Sequence, residues 1–78
     1  MDGDPVKSFG LVIKRIRKAQ GLSQESLATD ANLDRAFISQ VENGRKQPSL
    51  LTIFRLADAL KLSVSDLLKQ VEAVLAGS

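Results

Sequence analysis

The chain has 78 residues, enough for one small domain with a modest core. It contains no cysteine and no histidine, which excludes disulfides, thiolate metal sites, and the commonest general base and metal ligand. At 44% hydrophobic it has the makings of a globular core, and its net charge of +2 is too small to name a partner by itself.

The opening stretch MDGDPVKSFG carries two acids and no apolar run, so it does not read as a signal peptide. No stretch approaches the roughly 20 apolar residues needed to span a bilayer. The cytoplasm is therefore the expected location, with no membrane partner. The first helix is predicted from about Pro5 to Gln20, with Asp4 as its cap, Pro5 in its first turn and Gly21 as its stop. Phe9, Ile13 and Ile16 recur at helical spacing and face inward. Lys14, Arg15, Arg17 and Lys18 crowd the same helix, and the plain reading of Lys14 and Lys18 is a solvated face.

Ser23 caps a second helix from Gln24 to about Asp30, and a third follows from Arg35 to Asn43. Together Gln24 to Asn43 read as a helix-turn-helix. Leu27, Ala28 and Ala31 share one side of the first short helix, and Ile38 and Val41 one side of the second. The intervening Ala-Asn-Leu-Asp leaves room only for a tight turn. Asn32 sits where φ > 0 is needed, and asparagine tolerates that region better than most residues. Asp34 is the expected cap of the third helix. Arg35, Ala36, Ser39 and Gln40 then point away from the core, and a helix held so is shaped for a DNA major groove.

Asn43-Gly44 stops that helix, and Arg45 and Lys46 sit together in the following loop. Ser49 caps a fourth helix over LLTIFRLADAL, with Ile53, Leu56, Ala57 and Leu60 as its core face. Ser63 and Asp66 form a capping pair for a fifth helix, about 64–75. There Val64, Leu67, Leu68, Val71, Val74 and Leu75 make an apolar stripe longer than a five-helix domain needs. Its distal end can fold back on the first helix. The reading preferred is burial against a second subunit, with Leu68, Val71 and Val74 as contacts and the fourth helix alongside. The expected architecture is all-α, five helices in a single domain spanning residues 1–78, with its core over about 6–70.

The blocks IRKAQGLSQESLA, FISQVENGRKQPSL and LADALKLSVSDLL, in that order and spacing, resemble the Cro/cI-type (XRE) helix-turn-helix family of phage repressors and bacterial regulators. The resemblance covers roughly residues 9–69 and implies a lambda repressor-like fold. Within the family, NLDRAFISQVENGRKQPSL is similar to the controller proteins of restriction–modification systems, short helical homodimers that bind operators upstream of their own and the endonuclease genes. The resemblance implies that Arg35 reads base edges, a guanine O6 and N7 above all, with Gln40 as a second reader or a phosphate contact. It implies phosphate contacts by Gln24, Ser39, Asn43, Arg45 and Lys46. For Gln24 the helix N-terminus gives independent support as an anion site. It also implies an Arg17–Glu42 ion pair at the seam between the first and third helices. Two positions depart from the family pattern. Ala36 stands where many members carry a polar base reader, and can offer only a methyl to a thymine methyl. Phe37 reads as packing rather than base contact.

The expected function is a sequence-specific regulator that binds double-stranded DNA as a homodimer on a pseudo-palindromic operator, a restriction–modification controller in the narrower reading. The alternatives are a phage-like repressor, an antitoxin, or an adaptor of the same fold that binds protein instead. An adaptor would expose large apolar residues on the third helix, where Arg35, Ser39 and Gln40 stand instead. RNA polymerase is a further partner under the activator form of this reading. Enzyme chemistry is not expected: the serines have no His or Cys partner and no phosphate-binding Gly-rich loop exists. No cofactor, metal or small-molecule ligand is expected.

Overall fold

The computed structural model describes residues 3–77. They form five helices, α1 (Pro5–Ala19), α2 (Gln24–Ala31), α3 (Arg35–Glu42), α4 (Leu50–Ala59) and α5 (Val64–Gly77), and no strand. The helix starts are locally encoded. The Asp4 carboxylate accepts the backbone N–H groups of Val6 and Lys7 at 2.9 and 3.3 Å. Ser23, Ser49 and Ser63 hydroxyls accept from Ser26, Thr52 and Asp66 N–H groups at 3.0, 3.1 and 3.0 Å. These bonds satisfy donors that a helix leaves orphaned at its first turn. Asp34 is the exception. Its backbone carbonyl accepts from Ile38 N–H at 3.1 Å, but its side chain makes no cap bond. The residue is exposed, and there water can solvate both the carboxylate and the helix end, so no cap bond is forced.

Four helix ends share one closure. A residue with left-handed backbone follows the helix, and the next N–H reaches back to a carbonyl of the last turn. The left-handed residues are Gly21 (φ 71°), Asn32 (φ 57°), Gly44 (φ 72°) and Lys61 (φ 61°). The N–H groups of Leu22, Leu33, Arg45 and Leu62 donate to the carbonyls of Arg17, Ala28, Gln40 and Ala57 at 3.0, 2.8, 2.9 and 2.9 Å. Leu22, Leu33 and Leu62 also pack partly buried against the core, whereas Arg45 is exposed. Lys61 carries a Cβ in a conformation that favours glycine. Lys61→Gly is expected to stabilise the fold by roughly 0.5–1 kcal/mol, the opposite of the usual effect of glycine near a helix. Thermal melting checks it, and a lowered midpoint would contradict it.

α1 packs against α5 on one side and α3 on the other, α2 lies against α3 and α4, and α4 closes on α5. Val12, Ile13, Leu27, Ile38, Leu56 and Leu67, at least one from every helix, are fully enclosed, as is Leu60 at the cap of α4. Phe9, Ile16, Ala28, Ala31, Val41, Ala57 and Val71 complete the interior. Ile53, expected in the core, is only partly buried. Gly10 lets α1 touch the end of α3: a Cβ there would fall on the Val41 carbonyl oxygen and lie 3.0 Å from that of Glu42. The Gln20 amide ties α1 to the end of α4 through the Leu60 carbonyl at 2.7 Å.

The long apolar stripe of α5 serves the chain's own interior more than expected. Its helix lies along α1, with Arg15 donating to Gln70 Oε1 at 3.2 Å. Val71 is 6% exposed, so it is not a free contact for a second subunit as expected. Val74 and Leu75 pack partly buried on the same core, and Leu68 remains open at 37%. The distal stripe folds back because α1 offers a continuous apolar face from Phe9 to Ile16 for it to cover.

Candidate nucleic-acid interface

α3 is held by Ile38 and Val41, which are enclosed, and by Phe37, which is partly buried against the core. At 3.6 residues per turn, Arg35, Ser39, Asn43, Ala36 and Gln40 fall in one contiguous arc of about 140° on the opposite side. Arg35, Ala36, Gln40 and Asn43 are exposed, and Ser39 is half-buried. Packing therefore turns toward solvent the base-reading positions expected from the sequence, and Phe37 packs as expected. Arg45 and Lys46 are exposed immediately beyond the helix. The Gly44 N–H donates to the Val41 carbonyl at 3.0 Å, and Arg45 N–H is bonded to Gln40, so the basic loop is fixed to the last turn of α3.

Behind this face lies the one ion pair among the described residues. Arg17 Nε donates to Glu42 Oε2 at 2.6 Å and Nη2 to Oε1 at 3.0 Å. Nη1 donates to the Leu22 carbonyl at 2.8 Å. The two side chains are 9% and 1% exposed. Bonding to Glu42, against the opposing effect of burial, holds the Arg17 guanidinium above the ordinary arginine value. A raised value in the folded state contributes stability at every pH below the ordinary one. That contribution fades only in strongly alkaline solution, so Arg17 remains charged across any working range.

Gln24 does not stand free at the start of α2. Its Nε2 donates to Glu42 Oε1 at 3.0 Å, leaving its other amide N–H and its oxygen uncommitted by that bond. Glu42 thus gathers α1, α2 and α3 at one carboxylate. The Gln24–Glu42 bond was not expected, because nothing local marks a contact across 18 residues. A second feature missed from the sequence is an apolar patch of Leu50, Leu51 and Phe54 on α4, 70%, 60% and 55% exposed. Its signal was present in LLTIF, where the apolar residues are too closely spaced to share one face of a helix.

A helix anchored by its apolar side, led in by a left-handed turn and followed by a basic loop, defines a helix-turn-helix DNA-binding protein. The chain belongs to the XRE-type helix-turn-helix family, whose model, described as Helix-turn-helix, matches residues 13–67. It is similar to control protein C.MunI of a Mycoplasma species, 37% identical over 65 residues that make up 82% of this chain and 88% of the other. It is similar also to the immunity repressor protein of Bacillus phage phi105, 43% identical over 58 residues, 74% of this chain and 40% of that repressor. Among solved structures, the restriction–modification controller protein C.AhdI from Aeromonas hydrophila matches with a TM-score of 0.77 at 40% identity, covering 80% of this chain and 94% of that one. The protein is a DNA-binding transcription regulator. Among the described residues no helix is long and apolar enough to cross a membrane.

Proposed function

We propose that the protein is a restriction–modification controller that binds a pseudo-palindromic operator as a homodimer. The observation that carries DNA reading is the polar arc of α3, fixed over Ile38 and Val41 and continued by Arg45 and Lys46. In this reading Arg35 and Gln40 address base edges, and Ala36 offers a methyl to thymine. Gln24, Ser39, Asn43, Arg45 and Lys46 hold phosphates. The controller reading is supported by similarity running through 88% of C.MunI and 94% of C.AhdI, against 40% of the phage repressor. The phage repressor's higher identity over the shared segment keeps a phage-type repressor as the second reading.

The apolar patch supports the dimer. Leu50, Leu51 and Phe54 are all exposed on α4, and Leu68 and Ile53 line a neighbouring groove. Such a patch on a small domain costs free energy in water and is relieved by a two-fold copy of itself. Two recognition helices would then address half-sites about one DNA turn, roughly 34 Å, apart. An operator at a promoter allows repression by occlusion, or activation through contact with RNA polymerase. Phe54→Asp is expected to give a folded monomer at micromolar concentration by sedimentation equilibrium, with helical dichroism retained. A wild-type monomer at that concentration removes the dimer. Selection of bound duplexes from a random pool, followed by footprinting upstream of the protein's own gene, tests the operator. Failure to enrich any sequence overturns the specific-regulator reading.

A further inference from the structure

We propose that Lys7, in the first turn of α1, is a DNA phosphate contact that extends the binding face beyond α3 and its loop. This rests on the DNA-binding reading of that face. Gly44 brings the two elements together. A Cβ on Gly44 would lie 2.7 Å from Lys7 Cγ and 3.2 Å from its Cα, so the loop backbone rests directly on the lysine stem. Arg45 and Lys46 follow Gly44 at about 3.8 Å per Cα step. Three cations from two distant parts of the chain are thereby gathered at the end of the recognition helix. All three are exposed, and none is ion-paired among the described residues, where the single pair is Arg17–Glu42.

The acid next to Lys7 keeps its negative charge but makes no ion pair with it. The Asp4 carboxylate is engaged with the backbone N–H groups of Val6 and Lys7 itself, as the cap of α1. The same cap fixes the turn from which Lys7 projects. A cation placed this way offers charge to a phosphate without reading a base, so its contribution is the same on any sequence. The flexible stem is held by its contact with Gly44, which reduces the ordering required on binding.

Affinity across a salt series, on the selected operator and on a random duplex, tests the assignment. Lys7→Gln is expected to weaken binding to both duplexes by the same factor. The slope of log affinity against log salt should become shallower by about 0.9 per half-site. Lys7→Arg should restore the wild-type slope. Lys61→Gln makes the same charge change at the turn between α4 and α5, next to Leu60, whose carbonyl is bonded by Gln20 at the end of α1 opposite Lys7, and should leave the slope intact. The thermal midpoint of Lys7→Gln should match wild type, since the side chain is exposed. An unchanged slope for Lys7→Gln, or an equal loss for Lys61→Gln, overturns the proposal. If Lys46→Ala flattens the slope while Lys7→Gln does not, only the Lys7 assignment falls. If wild type shows no salt-dependent binding to either duplex, the reading of the whole face falls with it.

Discussion

Glu42→Ala is expected to cost about 3–5 kcal/mol of stability. The reason is the state it leaves behind. Arg17 directs Nε and Nη2 at the Glu42 carboxylate, and its side chain is 9% exposed. Removing the carboxylate strands a guanidinium that cannot shed its proton. For a domain of this size each kcal/mol moves the melting point by roughly 4–8 °C, so a fall of at least about 12 °C should be seen. Gln24 also loses its acceptor, which frees the start of α2 as well as the end of α3. A double replacement, Arg17→Met with Glu42→Leu, should recover much of the loss, because it removes the stranded charge along with its partner. A Glu42→Ala midpoint within error of wild type would refute the argument. A double variant as unstable as the single one would show that packing rather than charge is responsible.

Arg35→Ala is expected to cost about 1–3 kcal/mol per half-site on the operator and little on random DNA. A dimer carries two copies, so the loss on a full operator doubles to about 2–6 kcal/mol if the half-sites act independently. Arg35 stands exposed at the N-terminal end of α3, the end that reaches base edges in this geometry. Lys46→Ala should differ in kind. It should weaken operator and random duplex alike and flatten the salt slope by about one unit per half-site. Equal losses on the two duplexes for Arg35→Ala would reassign it to the phosphate backbone.

The features legible in the sequence were those set by near neighbours. Asp4, Ser23, Ser49 and Ser63 cap helices because a side-chain oxygen two or three residues before an orphaned N–H has little choice. Asn32 was legible for the same reason, since the turn demanded a residue that accepts φ > 0. Lys61 was not, because its conformation is imposed by closing α4 onto α5 rather than by its own preference. Asp34 shows the limit of a local signal: the residue type suits a cap, but an exposed helix end leaves the bond optional. The α5 stripe gave its length but not its destination, and only the placement of α1 decided that Val71 turns inward. On α3 the periodicity sufficed to separate Ile38 and Val41 from the outward arc. The Gln24–Glu42 bond needed the third dimension.

The repeated closure of the helix ends has a consequence for how order is distributed along the chain. At three ends the residue after the left-handed turn is a leucine that settles against the interior, so water exclusion helps hold each turn shut. After α3 the same position is Arg45, and no comparable burial reinforces the turn. The end of α3 therefore keeps the hydrogen-bonded frame of its sister turns without their hydrophobic latch. A bound phosphate would supply the missing latch, and the Gly44–Lys46 amides would then be the ones whose hydrogen exchange slows most when duplex is added. Recognition and the final tightening of the fold would become a single event, confined to one turn.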